Sequence, residues 1–250
     1  MAVPVADIAS YLDDLLDAAS YDEGEPSNGL MVDAGRPVTR VAAAVNTSYA
    51  SIRGAGRAGA QLLLVHHTTS QSIDRGLKDE KESALRSEGV SLYGAHAALD
   101  CSAGFGNGVQ VAALLGLEIE GRFASYAGGL AGVYGRMGGT FAGLVHRLQA
   151  ILEVPVESWE NSEVFGRVAI VTGGGGMTPM LDEARSLGCD TYITGEGSMY
   201  TKLFAREAGL NLIFGTHYAT ETHGIQALAA HVSEHFDLPW VFVREDADIL

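Results

Sequence analysis

Apolar positions along this chain fall into two rhythms, and the order in which the rhythms appear is used twice. Ile8, Leu12, Leu15, Leu16 and Ala19 recur at helical spacing within residues 1–20, which predicts an amphipathic helix docked on a core. Residues 40–45 form a short valine and alanine run, which predicts a strand. Asn46-Thr47-Ser48 then offers a cap for a helix over 49–58, and Gly59 a left-handed stop. Residues 62–65 are apolar at every position, the pattern of a central parallel strand covered on both faces. A charged helix over 79–88, a stop at Gly89 and an apolar strand up to Gly94 and Ala95 complete the series.

The series then recurs. Residues 168–171 predict a strand, 187–194 lead through a second, and a helix ending at Gly209 leads into a third over 210–214. Two strand-helix-strand-helix-strand copies define an α/β fold of two pseudo-repeated lobes with mainly parallel central strands. The boundary falls near 124, giving lobes 1–124 and 125–250 that are free to exchange elements. Glycine-rich residues 126–143 mark the join, with a strand near 133–137 and a Thr140-capped helix carrying Leu144, Val145, Leu148 and Ile151. Asn28-Gly29 predicts a turn into a short strand, and Thr178-Pro179 a helix cap with a first-turn proline. Helix 224–236 would turn His231 and His235 to solvent, and strand 240–244 closes the fold before an acidic tail. His146 reads as a surface or core-edge histidine.

Composition narrows the partners. Thirty-one acids against 16 bases give a formal charge of -15, and only three of the bases are lysine. Such an acidic protein is repelled by phosphate backbones and anionic lipid, which argues against nucleic acid and membrane surfaces. Proteins of saline cytoplasms share this balance, although a GC-rich genome alone gives the same arginine preference. Cys101 and Cys189 are too few and too isolated for a disulfide framework, so a reducing cytoplasm fits. The N-terminal segment lacks the basic start of a signal peptide, and no apolar run reaches the ~20 residues of a membrane span.

Chemistry concentrates at the ends of the repeated strands. His96-x-x-x-Asp100 and His217-x-x-x-Glu221 follow the third strand of each copy, offset by one extra residue in the second. His66-His67 follows the second strand of the first copy, and Gly195-Glu196 takes that place in the other. Packed about a pseudo-twofold, the copies would bring His66, His67, His96, Asp100, His217 and Glu221 into one cleft between the lobes. Four imidazoles and two carboxylates suit two divalent cations, and zinc, manganese, iron or nickel would accept them. Glu196 and His96 are the candidate catalytic proton carriers. Glu196 also reads as an acid favouring the helix start ahead of Ser198. Gly173-Gly174-Gly175-Gly176 is either a tight turn or a cradle for an anion. A metal that merely holds the lobes together is a further reading of the same residues.

Val65-His66-His67, Tyr93-Gly94-Ala95-His96-Ala97-Ala98-Leu99-Asp100, Thr194-Gly195-Glu196 and Gly215-Thr216-His217-Tyr218-Ala219-Thr220-Glu221 with Gly224 stand in an order that resembles the Nif-three-like family, the GTP cyclohydrolase 1 type 2 homologs. Asn28-Gly29-Leu30 and Gly106-Asn107-Gly108 resemble its secondary motifs, so the likeness spans nearly the whole chain. It implies two interlinked α/β lobes without the inserted domain of longer members, assembled as a toroidal homo-hexamer. It implies His66, His67, Asp100, His217 and Glu221 as ligands of two metals, with Glu221 bridging and His96 close by. The activity implied is hydrolysis of a nucleotide: attack at C8 of a guanine nucleotide, with formate released. The same centre would serve a phosphoesterase, and the rival from another class is a non-catalytic metal-binding scaffold whose ring binds partners. Two departures concern the substrate. Thr68-Thr69-Ser70-Gln71 stands where relatives often carry an aromatic, and no histidine lies between Glu196 and His217.

Overall fold

The structure, a computed structural model, describes residues 2–21, 23–69 and 75–245. Residues 70–74 of the polar loop and the acidic tail at 246–250 lie outside them. In chain order the elements are α1 Val5–Leu16, β1 Asn28–Val32, β2 Val41–Asn46, α2 Tyr49–Arg57, β3 Leu62–His67, α3 Lys78–Glu88, β4 Ser91–Ala95 and α4 Ala97–Asp100. Next come α5 Asn107–Leu115, β5 Glu118–Tyr126, β6 Gly129–Arg136, α6 Phe141–Leu152, β7 Glu157–Trp159, β8 Arg167–Val171 and α7 Thr178–Ser186. The chain closes with β9 Thr191–Thr194, α8 Met199–Ala208, β10 Asn211–Phe214, α9 His217–Thr220, α10 Thr222–Phe236 and β11 Trp240–Phe242.

These elements form two compact units. One comprises Met1–Phe105, Ala127–Gly129 and Gly224–Leu250; the other comprises Gly106–Tyr126 and Leu130–His223. The chain thus enters the second unit and returns to the first.

The first unit is built on a five-stranded sheet of order β1-β4-β3-β2-β11. β4, β3, β2 and β11 run parallel, and β1 lies antiparallel to β4. Parallel strands bury both faces, and the alternation of side chains divides them cleanly. Val41, Ala43, Leu62 and Leu64 pack with Ile8 and Leu12 of α1 and Ile225 and Leu228 of α10. Ala42, Ala44, Leu63 and Val65 pack with Ile52 of α2 and Leu85 of α3 on the other side. Each of the fully buried leucines and isoleucines contributes about 1.5–3 kcal/mol relative to exposure. α1 ends at Leu16, with Asp17 in the left-handed conformation. It therefore does not reach Ala19, and Ala18 is the buried residue in its place.

The second unit has a six-stranded sheet of order β5-β6-β8-β9-β10-β7, in which β8, β9 and β10 are parallel and β7 is antiparallel to β10. Val168, Ile170, Ile193 and Ile213 face α5 and α6, while Ala169, Val171, Tyr192 and Leu212 face α7 and α8. The repeat is accordingly one strand longer than the apolar pattern suggests. Each copy begins with an antiparallel edge strand, β1 or β7, laid beside the last of its three parallel strands.

Several local expectations need correction. Asn28-Gly29 lies inside β1, with Asn28 opposite Ala95 and Gly29 opposite Gly94, instead of turning before it. Met177, not Thr178, is the N-cap of α7. His231 and His235 do not simply face water. The Tyr11 hydroxyl lies 2.6 Å from His231 Nε2, and the Tyr11 ring stacks on His235 at 4.0 Å, tying α1 to α10.

Candidate metal centre

The C-terminal ends of parallel strands are where open α/β sheets present side chains to ligands. In the first unit β3 ends in His66 and His67, and β4 runs directly into His96, the N-cap residue of the four-residue helix α4. Ring nitrogens of His66, His67 and His96 lie within 4.8 Å of one another. His66 is fully buried, with Nδ1 2.8 Å from the carbonyl oxygen of Ala95. A carbonyl only accepts, so Nδ1 carries the proton and Nε2 is left as the lone-pair nitrogen. That nitrogen is 3.6 Å from Oδ2 of Asp100. His67 is held similarly, with Nδ1 2.6 Å from Oδ1 of Asn46.

His96 is wired differently. Its Nδ1 meets Oε2 of Glu23, whose other oxygen accepts the Ala97 N–H at 3.2 Å and the Asn28 side-chain N–H at 3.0 Å. Asn28 Oδ1 accepts the backbone N–H groups of His96 and Ala98 at 2.8 and 3.2 Å. Glu23 and Asn46 are thus site residues that the sequence pattern did not single out, and Asn28 stood out only as part of a secondary motif of the family likeness. Glu23 sits in a polar loop with no periodicity, and Asn28-Gly29 carried a turn signal that concealed its capping role. Thr68 and Thr69, directly after β3, are fully buried.

In the second unit the corresponding helix α9 begins one residue earlier relative to its histidine. Thr216 is the N-cap residue, and His217 is the first helical residue. Thr216 has φ 64° and ψ 145°, a region a β-branched residue rarely enters, and such strain of roughly 1–3 kcal/mol gathers at functional sites. Its hydroxyl accepts the Ala219 N–H at 3.2 Å. His217 Nε2 stands 3.3 Å from Oε2 of Glu221, and its Nδ1 stands 3.1 Å from Oε1 of Glu196. Burial alone would lower the pKa of His217, but hydrogen bonds and charge from Glu221 and then Glu196 outweigh it and push the value up to about 9.

The glycine run passes directly beneath this pair. Gly173 has φ 57°, and a Cβ there would overlap the Glu221 carboxylate and approach His217 Nε2. Its N–H is given to Thr220 Oγ1 at 3.0 Å, so this amide does not serve an anion. Its carbonyl accepts the Glu196 N–H at 3.1 Å, which ties Gly195-Glu196 to the run. Ser198 caps α8 in a capping box with Thr201, so Glu196 stands before the helix start.

The donor sets fit divalent cations. Two ligands bonded to one ion at about 2.0–2.2 Å lie roughly 3.0–3.5 Å from each other in tetrahedral or octahedral geometry. The separations of 3.6 Å for His66 and Asp100 and 3.3 Å for His217 and Glu221 are close to that span. Imidazoles whose second nitrogen is anchored by a carbonyl or carboxylate are the usual form of metal-binding histidine.

Fold and donor sets together define a doubly repeated α/β protein with a histidine and carboxylate cluster at the strand ends of each repeat. The chain matches the model of the Duf34/NIF3 (NGG1p interacting factor 3) family over residues 3–248, and it belongs to that family. It is similar to the GTP cyclohydrolase 1 type 2 homolog of Allochromatium vinosum, 35% identical over an alignment of 249 residues that covers 97% of this chain and 96% of the relative. The protein of the same name from Pyrococcus horikoshii is 34% identical over an alignment of 245 residues that covers 95% of this chain and 96% of its own. Among solved structures, protein ybgI, described as of unknown function, superposes with a TM-score of 0.86 at 31% identity over 96% of this chain and 98% of its own. No helix among the described residues is long and apolar enough to cross a membrane.

Proposed function

We propose that His66, His67 and Asp100 of the first unit, with His217 and Glu221 of the second, hold two divalent metal ions, and that the protein is a metal-dependent hydrolase of a nucleotide-like substrate. The observation that carries this reading is the histidine cluster of the first unit, where His66 and His67 are each anchored through Nδ1 so that Nε2 remains for a ligand bond. When bound, the ions supply Lewis acidity and lower the pKa of a water to near neutrality. The chain's own groups then manage protons. Glu196, hydrogen-bonded to His217, takes a proton from the attacking water, and His96, paired with Glu23, returns one to the leaving group. The names of the relatives favour GTP as that nucleotide, and the reaction proposed on it is opening of the guanine ring at C8 with release of formate.

A second reading has a specific observation behind it. Met177, Met199, Tyr200 and Leu203 stand exposed on α8 and just before α7, as a surface for partners would. A cytoplasmic homo-oligomeric ring that presents this surface and binds metal without turnover is the alternative.

Elemental analysis followed by incubation of the metal-replete protein with GTP and with phosphoesters tests the choice. The hydrolase reading expects two metal equivalents per chain and chelator-reversible formate release that His67→Ala abolishes while the assembly persists. Two equivalents with no turnover of any nucleotide or phosphoester would leave the scaffold reading standing.

A further inference from the structure

We infer that Glu245, just beyond the last strand, decides which ring nitrogen of His67 is offered to a metal ion, acting through Asn46. The inference rests on the reading of His67 as a ligand. β11 pairs with β2 in parallel, with Trp240 beside Val41 and Phe242 beside Ala43, and the Val243 N–H continues the ladder to the Ala43 carbonyl at 2.8 Å. Three further residues in the same register bring Glu245 level with Asn46.

There Oε2 of Glu245 accepts two N–H groups of Asn46, the backbone amide at 3.1 Å and the side-chain Nδ2 at 2.8 Å. Burial raises the Glu245 carboxyl above its usual range, and hydrogen bonds from Ser48 and Asn46 and the charge of buried Lys81 oppose that rise. A carboxylate oxygen receiving two donors fixes the amide: its NH2 faces Glu245, so its oxygen faces the other way. That oxygen is the atom 2.6 Å from His67 Nδ1. An amide oxygen only accepts, so Nδ1 carries the proton and Nε2 keeps the lone pair that a cation needs.

His66 shows why His67 needs a third group. The proton of His66 is taken by a backbone carbonyl, which cannot turn over. The proton of His67 is taken by a side-chain amide, which reverses its donor and acceptor by a half-turn unless something pins it. Glu245 is the pin. It is a positioning residue, joining the end of the C-terminal strand to His67 through Asn46.

Long-range 15N–1H spectra of histidine-labelled, metal-free protein read the tautomer directly, and Co2+ titration reads affinity independently of turnover. In the wild type His67 should be protonated on Nδ1. In Glu245→Ala the acceptor of both Asn46 N–H groups is gone, so the Asn46 amide turns over freely, the preference for Nδ1–H is lost and Co2+ binding weakens about tenfold, the low end of what loss of such a supporting partner costs. The double variant Asn46→Asp with Glu245→Ala restores both, because a carboxylate at position 46 accepts the His67 Nδ1 proton on either oxygen. An unchanged tautomer and affinity in Glu245→Ala overturns the inference. So does a double variant no better than the single one at equal Tm, since Glu245 would then support only the strand. Failure of the wild type to bind Co2+ defeats the metal reading instead, and the tautomer spectra still decide the role of Glu245.

Discussion

The two histidine–acid motifs share a spacing and differ in wiring. In His217-x-x-x-Glu221 the two side chains meet each other at 3.3 Å across one turn. In His96-x-x-x-Asp100 each side chain meets a residue outside the motif. His96 turns to Glu23, 73 positions earlier in the chain, and Asp100 turns to His66. The cause is where the short helix starts. His96 is the N-cap residue of α4, outside the helical turn, whereas His217 is the first residue inside α9. One position on a helix rotates a side chain by about 100°, enough to break an i,i+4 contact. Equal spacing in sequence therefore produced a closed pair in one unit and an open pair, completed from elsewhere, in the other.

The closed pair depends on close backbone approach, so the largest expected effect is at Gly173. Gly173→Ala must both adopt φ 57° and drive its Cβ into the Glu221 carboxylate. The left-handed conformation costs ~1–2 kcal/mol and the overlap ~1–3. Calorimetry of the metal-free protein should show a Tm lower by roughly 5–15 °C, at about 2–4 °C per kcal/mol for a chain of this size. Gly174→Ala is the control. Its Cβ would lie 3.8 Å from His217 Cε1, an ordinary contact, and Tm should hardly move. Equal losses in the two variants would mean that the run is only a tight turn, and that the pair above it places no demand on residue 173.

Much of this organisation was legible in the residues. β2 to β4 and β8 to β10 announce themselves because strands covered on both faces need apolar side chains at every position, and the glycine stops at 59, 89 and 209 all carry positive φ. The β5 strand escaped, and β6 showed only its second half, near 133–137, because glycine dilutes their alternation. Gly135 is one cause: a Cβ there would strike the Glu118 carbonyl, so the close approach of these strands itself requires the residue that hides them. β7 has three residues and no periodicity to detect. At the site the strand-end histidines could be found, since position after a repeated strand is a sequence property. The groups behind them could not. Glu23, Asn46 and Glu245 act through hydrogen bonds spanning 73, 21 and 199 positions, and no local pattern encodes those.

The closed pair also holds a proton. His217 lies between two carboxylates, and its pKa is raised from the ordinary 6.5 to about 9. A raised value means that its proton favours the folded chain fully below about 6.5, and that this contribution drops away as pH climbs through about 9. At neutral pH the proton occupies a ligand position, so metal must displace it. Between pH 6.5 and 9, titration of the metal-free protein with Zn2+ should release a proton assignable to His217 in histidine NMR spectra, with apparent affinity rising with pH. Glu221→Gln and Glu196→Gln should each bring the midpoint down toward 6.5, the first more than the second. A midpoint unmoved by both would show that the closed pair is not what holds the proton.

The smallest effect discriminates most finely, because it asks whether the open motif is wired as the geometry says. In the metal-free protein Glu23→Gln replaces the oxygen facing His96 Nδ1 with a group able to donate, while its size still allows the bonds to Ala97 and Asn28. The loss should be about 1 kcal/mol, a Tm decrease of roughly 2–4 °C. Asp100→Asn should cost less, since at 3.6 Å Asp100 and His66 are beyond hydrogen-bond distance until a cation joins them. With metal present the order should reverse, because Asp100 then becomes a ligand and Glu23 only steadies one ring. If Asp100→Asn is the more damaging of the two without metal, the first motif is paired internally after all, and the contrast with His217 and Glu221 disappears.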